Sequence, residues 1–237
     1  MSAIVITPCT GHPGLLEAVY SVRDQTYNTK HLIVVDGPEF LHKIPANIST
    51  INPNASVICL PENVGKNGFC GHRIFAGFAH LVNEDYIYFL DDDNWIERNH
   101  VSSLVDCIEK NKYDWAYSLR NIVDEKEVIP DNCESLGNWP VWTSYINNNQ
   151  AHYHVDTSCY AFTRKFLIQV SQFWHVAECG DRIFLNTIKD HSKFGTSGKR
   201  TMNYRISFGA AKLSKDFIIQ GNSIMNQLYK GKFPWVI

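Results

Sequence analysis

Three consecutive carboxylates, Asp91, Asp92 and Asp93, close an unbroken aromatic and aliphatic run, Tyr-Ile-Tyr-Phe-Leu at residues 86–90. Like charges in succession at the end of a buried strand repel one another unless a cation or hydrogen bonds compensate them. Side chains alternate along a strand, so Asp91 and Asp93 share a face while Asp92 points elsewhere. The pair presents two hard oxygen ligands suited to Mg²⁺ or Mn²⁺, with coordination positions open for diphosphate oxygens. A solvated acidic turn that caps the next helix is the competing account. An EF-hand does not fit, because the loop lacks that motif's glycine and closing glutamate.

These carboxylates need a scaffold, and the first half of the chain supplies an alternating one. Residues 3–8, 31–35, 56–60, 86–90 and 115–119 read as short strands. Residues 14–24, 69–82 and 98–110 read as helices, the first with Leu15, Val19 and Val22 at helical spacing. Such alternation predicts an α/β sheet, and an uninterrupted apolar strand such as 86–90 is usually buried on both faces, as in a parallel sheet. Open α/β sheets bind ligands beyond the carboxyl ends of their strands. Thr7-Pro8, Asp36, Glu62-Asn63 and Asp91 to Asp93 each follow or close a predicted strand, so they gather at one edge. The glycine-rich stretch 61–71 lies among them.

The second half is less regular. Residues 121–154 are rich in Asn, Trp and Pro and read as long connections, with a strand near Val128; long loops of this kind are often binding loops. Trp139, Trp142 and Tyr145 offer aromatic faces there, for sugar rings or for packing the loop itself. Strands are expected at 156–163 and 200–208, and helices at 180–189 and 214–229.

Composition narrows the class. At 44% hydrophobic and 19% charged residues, the chain has a globular composition, and 237 residues suit one domain. A net charge of −2 gives no general affinity for nucleic acid, so an anionic ligand requires a local arrangement. The seven cysteines are scattered without a CxxC pair, which matches neither a disulfide framework nor a zinc site. There is no basic leader segment and no apolar run of the ~20 residues that span a bilayer, so a cytoplasmic location is expected.

The order of motifs over the first 100 residues resembles family 2 glycosyltransferases of the GT-A fold. Residues 4–37 are similar to that family's opening: a strand ending in Thr7-Pro8, then Ser21-Val22-Arg23-Asp24-Gln25-Thr26-Tyr27, then a second strand ending in Asp36. Asn63-Val64-Gly65 resembles the family's Asn-x-Gly segment, with Arg73 in the helix beyond it, and Asp91-Asp92-Asp93 resembles its Asp-x-Asp motif. The resemblance implies a single GT-A domain with a mainly parallel central sheet and helices on both faces. Residues 1–119 would form the nucleotide-sugar half and 120–237 the acceptor half.

It further implies a nucleotide-diphosphate sugar donor, a glycan or other hydroxyl acceptor, inversion, and Mn²⁺ or Mg²⁺ as cofactor. Thr7, Pro8, Asp36 and Asn63 would line the nucleoside site. Asp91 or Asp92 would face the donor sugar or ribose, with Arg73 contacting the donor or making a surface salt bridge. Asp93, with Asp91, would hold the cation, and His191 is a candidate third ligand. The family's later acidic pair is interrupted here as Glu178-Cys179-Gly180-Asp181. Asp181 is the preferred general base, an N-cap being the competing account, with Glu178 as the substitute. His152, His154 and Asp156 either touch the acceptor or satisfy local backbone groups.

Other classes fit less well. A nucleotidyltransferase would carry a glycine- and arginine-rich signature where Cys9-Thr10-Gly11-His12 stands. A haloacid dehalogenase-like phosphatase places Asp-x-Asp on its first strand. The glycines at 65, 68 and 71 have the wrong spacing for a dinucleotide fingerprint. A catalytically inactive sugar-nucleotide-binding module is left open by the interrupted acidic pair.

Overall fold

The structure is a computed structural model, described here for residues 1–125, 127–132, 154–206 and 214–233. The chain runs β1 (Ala3–Cys9), α1 (Leu15–Arg23), β2 (Thr29–Val35), α2 (Ile48–Ile51), β3 (Ala55–Cys59), α3 (His72–Phe78), β4 (Tyr86–Phe89) and β5 (Trp95–Ile96). It continues through α4 (His100–Asn111), β6 (Trp115–Asp124), β7 (Glu127–Pro130), β8 (Tyr160–Thr163), α5 (Arg164–Val170), α6 (Gly180–Ile188), β9 (Phe194–Arg205) and α7 (Lys215–Tyr229).

All nine strands of the described residues form one sheet, in the order β3-β2-β1-β4-β8-β6-β9-β5 with β7 on the side of β6. The first four are mutually parallel, so their carboxyl ends share one edge, as the alternating sequence signals predict. Beyond β4 the sheet becomes mixed: β8 runs antiparallel to both β4 and β6, and β9 runs parallel to β6.

Aromatic packing holds together the elements that carry this edge. Trp174 stacks on Phe184 of α6 at 4.1 Å between ring centroids, and Phe75 of α3 on Phe89 of β4 at 4.2 Å. Trp174 also meets Phe75 and Phe89 edge-on, so α3, β4 and α6 share one cluster. Each such ring removes 150–250 Å² from water as a typical figure, roughly, which makes the cluster a dominant local source of stability.

Where element bounds differ from the sequence expectation, local chemistry accounts for it. The helix expected from 69 starts at His72, because Asn67, Gly68 and Cys70 all have positive φ and build a loop instead. The strand expected over 156–163 begins as a 3-10 turn, Thr157–Cys159, since the Asp156 carboxylate captures the Ser158 N–H. β6 extends to Asp124, into the stretch read as connections. β5 is only two residues long and pairs antiparallel with β9, too short for any periodicity to reveal. Residues 133–153, with Trp139, Trp142, Tyr145 and His152, lie outside the described residues.

Two histidines sit inside the sheet and its helical cover. His31 Nε2 lies 2.9 Å from Thr7 Oγ1, and His100 Nδ1 lies 2.9 Å from Thr201 Oγ1. Burial pushes both down to about 3. A depressed histidine contributes stability that is present above its unfolded value of about 6.5 and is lost as pH falls toward the folded one. Between pH 7 and 5 the unfolding free energy should therefore drop, by about 2 kcal/mol for each histidine. Urea titrations at several pH values check this, and His100→Gln should remove the part of the slope that belongs to His100.

Candidate functional site

The parallel carboxyl ends open into a cleft of about 390 Å³. Pro8 comes from β1, Asp36 from the end of β2, Asn63 and Gly65 from the loop after β3, and Asp91, Asp92 and Asp93 from the end of β4. Tyr204 on β9 closes the far side. Among the residues lining it are four carboxylates and one lysine, Lys66, so the cleft carries a surplus of negative charge.

Asp36 is buried and works on the backbone. Its Oδ1 accepts the Val64 N–H at 2.7 Å and its Oδ2 the Gly65 N–H at 2.9 Å. Gly65 is required there, because a Cβ would collide with the Cys70 carbonyl oxygen and the Asp36 carboxylate. Arg73 fastens the same loop from behind: Nη1 donates to the Val64 carbonyl at 3.2 Å and the guanidinium lies 3.5 Å from the Phe69 ring centroid. Asp36 and Arg73 thus shape the loop that forms one wall of the cleft. Thr7 turns its hydroxyl inward to His31 and is fully buried, while its neighbour Pro8 faces the cleft.

The three aspartates divide their work. Asp92 Oδ2 accepts N–H bonds from Thr10 at 3.0 Å and His12 at 3.2 Å, pinning the β1–α1 turn against β4. Asp91 is held through its backbone, its N–H donating to Ser158 Oγ at 3.1 Å. Burial, then Asp93 and Asp156, push the Asp91 carboxyl well above the usual carboxylate range. Burial and Asp92 push Asp93 up to about 6, with His12 pulling the other way. Desolvated carboxylates that repel one another in this way gain from a positive partner. Among the described residues no three His, Cys, Asp or Glu side chains converge as a complete metal cluster. Two carboxylates with open positions suit a cation that keeps water or ligand oxygens, as Mg²⁺ usually does.

Asp181 stands in the first turn of α6, but the N-cap is Cys179, with no side-chain capping bond. The Asp181 Oδ1 accepts the Arg182 N–H at 2.8 Å, and its Oδ2 lies 3.2 Å from Nδ1 of the buried His154. Asp181 is close enough to contribute to the upward shift of Asp91. Glu178 and Cys179 both have positive φ, and the Glu178 N–H donates to the Gly68 carbonyl at 2.8 Å. The glycine-rich loop and the start of α6 therefore support each other. His191 is elsewhere: from Asp181 to the end of α6 at Ile188 is ~10 Å along the helix at about 1.5 Å per residue, and His191 follows three residues later. It lines a separate cavity with Phe166, Val170 and Phe173 and does not line the cleft.

Sequence reasoning missed Arg120 and Ser158. Arg120 is fully buried in β6, its Nε 2.8 Å from Asp131 Oδ2 and its Nη1 2.5 Å from Asp156 Oδ2. An arginine closing the apolar run Trp115 to Leu119 was the available signal.

The sequence profile of Glycosyl transferase family 2 matches residues 4–170. The chain belongs to that family. The match spans every cleft residue of β1 to β4 together with Arg120, Asp156 and Ser158, and it stops before Glu178 and Asp181. An uncharacterized protein of Haemophilus influenzae (strain ATCC 51907 / DSM 11121 / KW20 / Rd) is 41% identical over 61 residues, 25% of this chain and 41% of that protein.

Among solved structures, S. aureus TarS 1-349 superposes with a TM-score of 0.63 at 14% identity, over 86% of this chain and 60% of that one. TarS 1-349 in complex with UDP-GlcNAc gives 0.63 at 14% identity, over 96% of this chain and 66% of that one. Its complex with UDP gives 0.62 at 13%, over 98% and 72%. At such identities the likeness concerns the fold, which is GT-A, as the motif order implies. The chain spans about two fifths of the H. influenzae protein's length and 60% of TarS 1-349.

Proposed function

We propose that this protein is an inverting glycosyltransferase that moves a sugar from a nucleotide-diphosphate donor to an acceptor hydroxyl with a divalent cation. The observation that carries the reading is the acidic cleft itself. Asp91 and Asp93, repelling one another in a desolvated pocket, face a loop wall shaped by Asp36 and Asn63 at the carboxyl edge of a parallel sheet. A diphosphate cannot enter so negative a cleft without neutralisation, and these two carboxylates fit Mn²⁺ or Mg²⁺. A cation bound there would offset the charge that builds on the departing diphosphate. TarS, of the same fold, has been captured with UDP-GlcNAc, which supports a nucleotide-sugar donor here.

The chain's own residues then have assigned tasks. Pro8, Asp36 and the Asn63–Gly65 wall hold the nucleoside. Asp181 takes the proton of the acceptor hydroxyl as that oxygen attacks the anomeric carbon. The bond to the nucleoside diphosphate breaks on the opposite face, and the configuration inverts. Residues 1–119 serve the donor and residues 120–237 the acceptor. No described helix is long and apolar enough to cross a membrane.

Incubation with a panel of nucleotide sugars, with Mn²⁺ and with chelator, tests the reading: one donor should release its nucleoside diphosphate only with the metal. The raised position of Asp93 adds a pH signature. Cation binding needs both carboxylates ionised and both are raised, so metal-dependent diphosphate affinity should fall as pH drops from 8 to 5, by at least about tenfold per unit below about 6. Calorimetry between pH 5 and 8 checks it; an affinity constant across that range would contradict the role of Asp93.

A further inference from the structure

Residues 154 to 158 touch both chemical ends of the site. At one end, His154 Nδ1 lies 3.2 Å from Asp181 Oδ2, and the His154 side chain is 7% exposed. At the other, Ser158 Oγ accepts the Asp91 N–H at 3.1 Å, and Ser158 is fully buried. Between them, Asp156 Oδ1 accepts the Ser158 N–H at 2.9 Å while its Oδ2 receives Arg120 Nη1 at 2.5 Å. Arg120 is fixed in turn by Asp131. The segment thus connects the candidate base, whose side chain is 26% exposed, to the backbone of the candidate cation site through buried His154, Asp156 and Ser158.

We propose that this segment is a positioning strap, in which His154 sets the carboxylate of Asp181 and Ser158 sets the backbone of Asp91, both held in register by Asp156 on Arg120. The proposal rests on the transferase reading above and adds residues that reach the chemistry only through others. Stability alone does not call for such a network. Burying an arginine with two aspartates costs desolvation that well-packed apolar residues of similar volume avoid. What charge-assisted hydrogen bonds from one guanidinium to two carboxylates provide in exchange is a fixed geometry. Direct displacement needs base, acceptor oxygen and anomeric carbon aligned to within a fraction of an ångström, and the strap spans the base and the donor site.

The test uses the full chain and the nucleoside diphosphate that binds the wild type among UDP, GDP and dTDP. His154→Phe should lower kcat for donor turnover about 10- to 100-fold, the usual scale for a supporting residue, with donor KM and melting temperature nearly unchanged. His154→Gln, which keeps a polar N–H group next to the Asp181 carboxylate, should recover much of the rate. In an Asp181→Asn background His154→Phe should cost nothing further, because its effect passes through that carboxylate. Ser158→Ala should weaken Mn²⁺-dependent diphosphate binding about 3- to 10-fold, as expected for one lost hydrogen bond.

Multiplying effects of His154→Phe and Asp181→Asn, or unchanged diphosphate binding in Ser158→Ala, would overturn the strap and leave the transferase reading standing. A folded wild type that neither binds a diphosphate nor turns over a donor would remove both. Variants that unfold are recognised by circular dichroism, and the Gln variant then carries the test.

Discussion

Replacing Asp181 by asparagine is expected to lower kcat about 10²- to 10⁴-fold, the range a positioned general base contributes, while leaving diphosphate affinity unchanged. The substitution is close to isosteric. The amide oxygen can still accept the Arg182 N–H, so the first turn of α6 keeps its local bond. What disappears is the carboxylate proposed to take the proton. Glu178→Gln provides the contrast: Glu178 joins the glycine-rich loop through its backbone N–H, which the substitution leaves intact, so activity should change little. Steady-state kinetics on both variants decide the assignment. A collapse in Glu178→Gln with activity retained in Asp181→Asn would exchange the two roles.

Replacing Arg120 by alanine is expected to cost about 3–5 kcal/mol of stability, the scale for removing one member of a buried ion pair. Arg120 is 1% exposed and faces Asp131 at 0% and Asp156 at 8% side-chain exposure, so both acids would lose their ion pair with it where little water can replace it. The guanidinium also lies 4.9 Å from the Tyr204 ring centroid, so packing is lost with the charge. Arg120→Lys keeps a positive charge but cannot reproduce a fork that serves two carboxylates, and should fall between wild type and alanine. Urea denaturation at neutral pH measures all three. A loss below about 1 kcal/mol for alanine, the scale of an exposed pair, would show that water reaches the network.

The parts of this protein that were legible in the sequence are those written locally. The apolar run at 86–90 followed by Asp91, Asp92 and Asp93 announced a buried strand with a charged end. The alternation of strands and helices placed that end beside Asp36 and Asn63. The same logic failed where contacts are long-range or where orientation within a strand matters. Thr7 and Pro8 are adjacent, yet the pleat sends the Thr7 hydroxyl to His31 and the Pro8 ring to the cleft. Nothing in the sequence marks Ser158, which meets the Asp91 N–H only because β8 pairs with β4. His191 was considered for its chemistry, and the length of α6 sets it apart from the cleft. The positive φ values at Asn67 and Cys70, which delay the start of α3, fall on residues other than glycine, so composition did not reveal them.

Calorimetric titration of UDP, GDP and dTDP, each with and without Mn²⁺, on wild type and Asp93→Ala tests the central claim most directly. The wild type should bind one of the three tightly only when Mn²⁺ is present, and Asp93→Ala should lose that metal-dependent binding while keeping its fold. Failure of a folded wild type to bind any of the three, or binding that needs neither Mn²⁺ nor Asp93, would contradict it.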